Sequence, residues 1–225
     1  MQNAINKKTT SLLKVLKRIV NDFFKEPLFI LTHPLKGFYE FKTEKKFKWH
    51  VAVFYLLLRL VYQVVAYNGE GFLVNTNAPG TFNSIEIISL ILLPVVLITV
   101  GNWSITCFLN GKGTMLEIFY VICYSLCPFM LIKIPNLIYS NFLTLNEVSF
   151  YTAFNYIAVF LLVFMAFFGL MQIHEYGLVT NIASLALTVV AVAIIIFIVF
   201  LFFCLFQNFY AFISSLWNEF ALKFL

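Results

Sequence analysis

Charged residues are scarce in this sequence: Asp, Glu, Lys and Arg make up 11% of it, against about 25% of a typical soluble domain. Hydrophobic residues reach 62%, above the roughly 45–50% usual for soluble domains. This composition argues against a water-soluble fold. Because 225 residues leave room for one bundle of membrane helices and little else, we expect a single all-α membrane domain.

Groups of residues that carry catalysis or bind metals are also missing. The four cysteines (Cys107, Cys123, Cys127 and Cys204) lie in or beside apolar stretches, which argues against a disulfide framework. Cys123 and Cys127 share a helix face, but two thiols without a second pair or a histidine make a poor zinc site. The sequence shows no nucleophilic triad, no paired acids of a soluble cleft and no glycine-rich phosphate loop after a strand. We therefore predict no enzymatic activity, no cofactor and no metal.

Positive charge is concentrated in residues 1–48, which hold eleven of the fifteen Lys and Arg residues. Apolar residues recur there at three- and four-residue steps from Leu12 to Phe24, with lysines on the other face, until Pro27 and Pro34 break the pattern. This pattern predicts a cytoplasmic amphipathic helix. It lies either among anionic lipid headgroups or on the protein's own cytoplasmic face, and nucleic acid is not the expected partner.

Five apolar stretches are long enough to cross a bilayer. We place the membrane domain at residues 49–206, with spans at about residues 49–66, 84–103, 118–139, 148–171 and 182–206. The segments after the first and third spans carry no Lys or Arg, whereas the N-terminal region and the turn at Lys112 are basic. The positive-inside rule then predicts a plasma (cytoplasmic) membrane protein with its N-terminus inside and its C-terminus outside.

Residues 207–225 repeat an amphipathic pattern, with aromatic and aliphatic residues from Phe209 to Phe224 on one side and Ser214, Ser215 and Asn218 on the other. The pattern predicts a second interfacial helix, on the outer surface. The alternative is that the fifth helix continues beyond the membrane and packs on a partner.

Three ionisable residues fall within the predicted spans: Arg59, Glu86 and Lys133. Charged groups inside a bilayer are costly, so each is a candidate functional residue. All three belong to the outer part of the bundle, where one carboxylate between two cations could hold an anionic headgroup or a partner's carboxylate. The alternative is that the two cations reach outward to the headgroups and that Glu86 simply lies near them.

Pro128 interrupts the third predicted span and should kink it. Because lipid does not satisfy the carbonyl that a proline frees, the kink should face protein, a hydroxyl such as that of Ser125, or a trapped water. Tyr124 lies one turn earlier on the same face, so its ring should pack into the bundle and its hydroxyl should bond near the inner surface.

Several short motifs resemble one family. They are the segment from Pro27 to Trp49, then Asn102-Trp103, Leu109-Asn110-Gly111-Lys112-Gly113, Tyr124-Ser125-Leu126-Cys127-Pro128 and His174. Together they are similar to the bacterial branch of the Yip (Ypt-interacting protein) domain family of multi-pass membrane proteins. The resemblance marks Gly111, Lys112, Gly113, Tyr124, Pro128 and His174 as family-motif positions. The acidic, tyrosine-bearing motif by which eukaryotic relatives contact Rab-type GTPases has no counterpart here.

The resemblance implies a five-helix protein that acts by associating with other membrane proteins. We expect a non-enzymatic scaffold or accessory subunit of a membrane complex, and analogy with bacterial relatives makes carbohydrate ABC-transporter permeases candidate partners. The alternative is a small transporter or lipid-handling protein. The sequence shows no internal repeat, which weakens the transporter interpretation.

Overall fold

The computed structural model describes residues 21–44, 47–77 and 80–224. The α-helices in these ranges are α1 (Glu26–Thr32), α2 (Pro34–Thr43), α3 (Trp49–Gly69), α4 (Ser84–Phe108), α5 (Met115–Ser140), α6 (Val148–His174) and α7 (Leu178–Phe224). A π-helical turn, Asn21–Lys25, precedes α1, and a 3-10 turn, Leu145–Glu147, precedes α6. The helices α3 to α7 are each long and apolar enough to cross a membrane. The predicted all-α fold with five membrane spans is confirmed.

The N-terminal region is only partly described. Most of the amphipathic helix predicted from Leu12 to Phe24 lies outside the described residues, and its last residues form the π-helical turn. Pro27 and Pro34 stand in the first turns of α1 and α2, where a helix needs no N–H from proline. The helix α2 packs against α6 and buries Phe38 in the bundle.

The connections between spans alternate between two ends of the bundle. We call the end that holds residues 21–44, 47–48, 109–114 and 175–177 the basic end, and the end that holds residues 70–77, 80–83 and 141–147 the loop end. At the loop end, the Gly71 N–H donates to Ser140 Oγ at 2.9 Å. At the basic end, α4 and α5 are joined by a turn that contacts the end of α6.

The helix α5 lies at the centre. In the apolar part of α5, 56% of the residues are buried, twice the 28% in the corresponding parts of α3, α4 and α6. Its Tyr124 packs edge-on against Phe41 of α2, in an apolar core near the basic end. A smaller core nearer the loop end gathers Tyr62, Ala66, Phe129, Met130 and Ala158. This central position makes α5 the helix on which the others are arranged.

The last helix extends beyond the predicted fifth span. A boundary at residue 206 was expected between a membrane span and a separate amphipathic helix, but α7 is one continuous helix of 47 residues. The physical reason is that residues 178–224 contain neither Gly nor Pro, the residues that most readily end a helix. Gln207 and Asn208 make the surface of the helix more polar, but they do not interrupt the helix.

Three prolines lie inside spans. Pro128 and Pro135 are in α5, and Pro94, which the sequence analysis did not single out, is in α4. Ser125 was one candidate to bond the carbonyl that Pro128 frees, that of Tyr124. Its hydroxyl donates instead to the carbonyl of Val121 at 2.8 Å.

Candidate functional site at the basic end

The family-motif glycines lie where the chain is tightly packed. A methyl group added to Gly111 would come within 2.5 Å of the Tyr176 hydroxyl oxygen, and one added to Gly113 would meet Ile173 Cγ2. Real side chains do not approach so closely, so a larger residue at either position would force its neighbours to shift. The two glycines therefore allow the turn between α4 and α5 to pack against the end of α6.

His174 is buried at the end of α6, with 2% of its surface exposed. The Gly113 N–H, which can only donate, approaches its Nδ1 at 3.3 Å. Nδ1 must therefore accept, and the ring proton is on Nε2, which donates to Asn102 Oδ1 at 3.1 Å. This arrangement requires a neutral imidazole.

The hydrogen bonds continue beyond Asn102 into α7. Its Nδ2 donates to Thr188 Oγ1 at 3.0 Å, and the Thr188 hydroxyl donates to the Ser184 carbonyl at 2.7 Å. We call Gly113, His174, Asn102 and Thr188 the buried polar chain. It joins the α4–α5 turn, α6, α4 and α7, and each donor in it has an acceptor. Satisfied hydrogen bonds of this kind fix the relative positions of helices in a membrane.

An ion triad lies beside the buried polar chain. Glu175, in a left-handed backbone conformation (φ 57°) that ends α6, accepts from Lys112 Nζ at 2.6 Å and from Lys42 Nζ at 2.8 Å. These hydrogen bonds, that from Lys112 foremost, lower the pKa of Glu175 to about 2. Lys42 also donates to the Ile173 carbonyl at 2.6 Å, near the C-terminus of α6, where a cation is favoured. The triad ties α2 and the α4–α5 turn to the end of α6.

A second ionic cluster joins the N-terminal segment to α5. Lys48 Nζ bonds Asp22 at 2.7 Å and Glu26 at 2.9 Å. Burial alone would lower the pKa of Lys48, but the two carboxylates outweigh it and raise that pKa. The Lys48 backbone N–H donates to the Tyr124 hydroxyl at 3.4 Å, and the Tyr124 ring is 1% exposed. The expected placement of Tyr124 is thus observed.

The intramembrane charges are only partly brought together. Arg59 Cζ and Lys133 Nζ lie 5.2 Å and 5.7 Å from the centre of the same Phe129 ring. Glu86 is exposed in the first turn of α4 at the loop end, and among the described residues it forms no ion pair with either cation. The structure therefore pairs two of the three predicted residues and leaves Glu86 apart.

Sequence reasoning did not assign roles to Asn102, Lys42, Glu175 or Thr188. Asn102 could have been recognised from the sequence, because it lies in an otherwise apolar span and a buried amide needs hydrogen-bonding partners. Lys42 and Glu175 gave no local signal, since their contact joins residues 133 positions apart.

The arrangement at the basic end is suited to holding helices together. The ring of His174 is covered by Tyr176, whose plane stacks on it at a centroid distance of 5.2 Å. Both ring nitrogens of His174 are engaged by the protein. Among the described residues no group of three His, Cys, Asp or Glu side chains is placed to hold a metal ion.

Comparison with known proteins gives one match. The family model described as Yip1 domain matches residues 28–218, which include α2 to α6, most of α7 and both ionic partners of Glu175. No curated protein and no solved structure matches the chain.

Proposed function

Because this chain belongs to the Yip1 domain family, we propose that it acts without catalysis, as a scaffold or accessory subunit of a complex of membrane proteins. The basic end supports this proposal, because its polar residues are used to join helices and not to present reactive groups.

The observation that carries the proposal is the length and exposure of α7. A helix of 47 residues is about 70 Å long, whereas the hydrocarbon core of a bilayer is about 30 Å thick. Even a tilt of about 40° would leave roughly 30 Å of helix outside the core. From Ile196 to Phe220 every residue except Cys204 is exposed. Most of α7 therefore has little covering from the residues that the structure describes.

The last part of α7 presents one apolar side. Phe209, Phe212, Ile213 and Leu216 recur at three- and four-residue steps and are exposed. An aromatic surface of this kind is unfavourable in water and is typical of an interaction site. A continuous helix whose first half crosses the bilayer does not also lie flat on the bilayer surface. This geometry favours a protein partner over the predicted interfacial position.

We assign the partner to the same membrane as this chain. The resemblance to bacterial members of the family makes a carbohydrate ABC-transporter permease the candidate partner, and that assignment rests on the resemblance alone. The distribution of Lys and Arg supports an orientation with the basic end in the cytoplasm, facing anionic headgroups.

Photo-crosslinking in intact membranes tests the proposal. A photoreactive amino acid is placed at Phe209 or Leu216 on the apolar side of α7, and at Ser214 or Asn218 on the opposite side as matched controls. We expect one discrete protein adduct from both apolar positions and little from the controls, and mass spectrometry of the adduct identifies the partner.

The possible outcomes distinguish which molecule contacts the exposed part of α7. Adducts with lipid alone would support an interfacial helix and contradict a scaffold role. A crosslinked product of twice the chain's mass would show that α7 contacts a second copy of this chain, and would contradict the accessory role. Equal yields at all four positions would show random collision and would also contradict the proposal.

A further inference from the structure

Two cavities adjoin within the bundle, one extending from its centre towards the basic end and the other lying at the loop end. The first, of about 370 Å³, is mainly apolar and receives residues from all five spans, among them Arg59, Leu90, Val95, Leu126, Leu162 and Leu185. The second, of about 450 Å³, is lined mostly by polar residues, among them Gln63, Tyr67, Asn77, Asn83 and Glu86. Leu90 lines both. Each volume falls within the roughly 300–1,000 Å³ of small-molecule sites.

Arg59 lies at the junction of the two cavities. It lines the apolar cavity, and its Nη1 donates at 2.6 Å to Gln63 Oε1, which belongs to the polar one. Within the described ranges no carboxylate forms an ion pair with Arg59, and the nearby charge of Lys133 is of the same sign. A cation placed inside a membrane span without a counter-charge is costly, so an anion supplied from outside the chain would be strongly favoured there.

Glu86 supplies the opposite charge in the polar cavity. Arg59 reaches one turn along α3 to the level of Gln63, about 9 Å from the end of that helix by helical rise, and Glu86 lies about 3 Å from the start of α4. Glu86 and Gln63, which Arg59 bonds, line the same polar cavity. From the centre outward, the order is apolar wall, cation, then the polar cavity with its amide, hydroxyl and carboxylate groups.

This order matches a zwitterionic phospholipid. We propose that the two cavities bind one aminophospholipid of the surrounding bilayer. Its acyl chain occupies the apolar cavity, its phosphate pairs with Arg59, and its ammonium group donates to Glu86. Oxygen acceptors of the polar cavity favour an ethanolamine headgroup, which has N–H donors. This site does not depend on the proposed partner of α7, because none of its named residues lies beyond Leu185.

Lipid titration of the purified, delipidated full-length protein tests the site, with native mass spectrometry counting the bound lipid. The probes are phosphatidylethanolamine and phosphatidylglycerol with the same acyl chains. We expect the wild type to bind the ethanolamine lipid about tenfold more tightly, the ratio that corresponds to about 1.4 kcal/mol. Arg59→Gln should weaken both lipids, and Glu86→Gln should abolish the preference. Lys133→Gln, which lines neither cavity, is the matched control and should weaken binding of both lipids much less than Arg59→Gln does.

A second variant tests the site without changing a charge. Ala166→Phe should fill the apolar cavity, which Ala166 lines, and reduce binding of both lipids. It keeps the test decisive if Arg59→Gln does not fold. Equal affinity of the wild type for the two lipids would overturn the proposal. So would unchanged binding by Ala166→Phe, or a loss on Lys133→Gln as large as the loss on Arg59→Gln.

Discussion

At Gly113 the main chain passes so close to His174 that no side chain fits. An added methyl group would lie 2.7 Å from His174 Cε1. His174 does not move away without breaking its bonds to Asn102 and to the Gly113 N–H. The identity of one residue in a turn therefore controls whether the buried polar chain can form.

We expect Gly113→Ala to lower the free energy of unfolding by about 1–3 kcal/mol, the usual cost of overpacking a rigid site. The measurement is unfolding in mixed detergent micelles, followed by circular dichroism. Gly177→Ala is the control, because a methyl group there would meet nothing within 4 Å. If both variants lost the same stability, the close contact with His174 would not be the cause.

The sequence predicted the residues of this site better than their contacts. Gly111, Lys112, Gly113 and His174 stood out through the family motifs. The contact between Gly113 and His174 was not predicted, because the two residues are 61 positions apart and no local sequence pattern indicates such a contact. Arg59 and Lys133 were expected near each other because both fall in the outer part of the predicted bundle. The separation of Glu86 depends on how α4 packs, which composition does not determine.

At the scale of helices, the sequence located the five spans but favoured a break after the last one, where the helix continues. Hydropathy reports where lipid contact ends, whereas a helix ends where its backbone is interrupted. In α3 to α6 the two coincide within a few residues, because caps such as Asn83 and Thr114 stand beside the apolar stretch. In α7 no cap, Gly or Pro follows residue 206, so the helix continues.

The continuity of α7 predicts a distance. Residues Val190 and Trp217 are both exposed, and 27 helical residues at 1.5 Å each separate them by about 40 Å. We expect double electron–electron resonance between spin labels at these positions, in a cysteine-free background, to give a narrow distribution near that value. A broad distribution centred well below about 30 Å would indicate a bend near Gln207 and would restore the interfacial helix.

Across the whole molecule, Glu175 connects three parts of the chain. Its carboxylate pairs with Lys112 of the α4–α5 turn and with Lys42 of α2. Because its pKa is lowered from 4.5 to about 2, its stabilising contribution is complete above its ordinary value and is lost as the pH falls through about 2.

We therefore expect the stability difference between wild type and Glu175→Gln to be constant from neutral pH down to about pH 5 and to shrink below about pH 4.5. The comparison cancels the titration of the other carboxylates, and it is measured by unfolding both proteins at each pH. A difference that fell already between about pH 7 and pH 5 would mean that the triad does not hold the carboxylate in its ionised form.

The buried polar chain also has a consequence for how the protein is made. Asn102 belongs to the second span, but its partner Thr188 is 86 residues further along and belongs to the last. During synthesis α4 enters the bilayer with an amide that the chain does not yet satisfy, and lipid offers no substitute. We therefore expect the early helices to pack loosely until their later partners emerge. Completion of the bundle should be a late co-translational event, because both partners of Asn102, His174 and Thr188, lie in the last two spans.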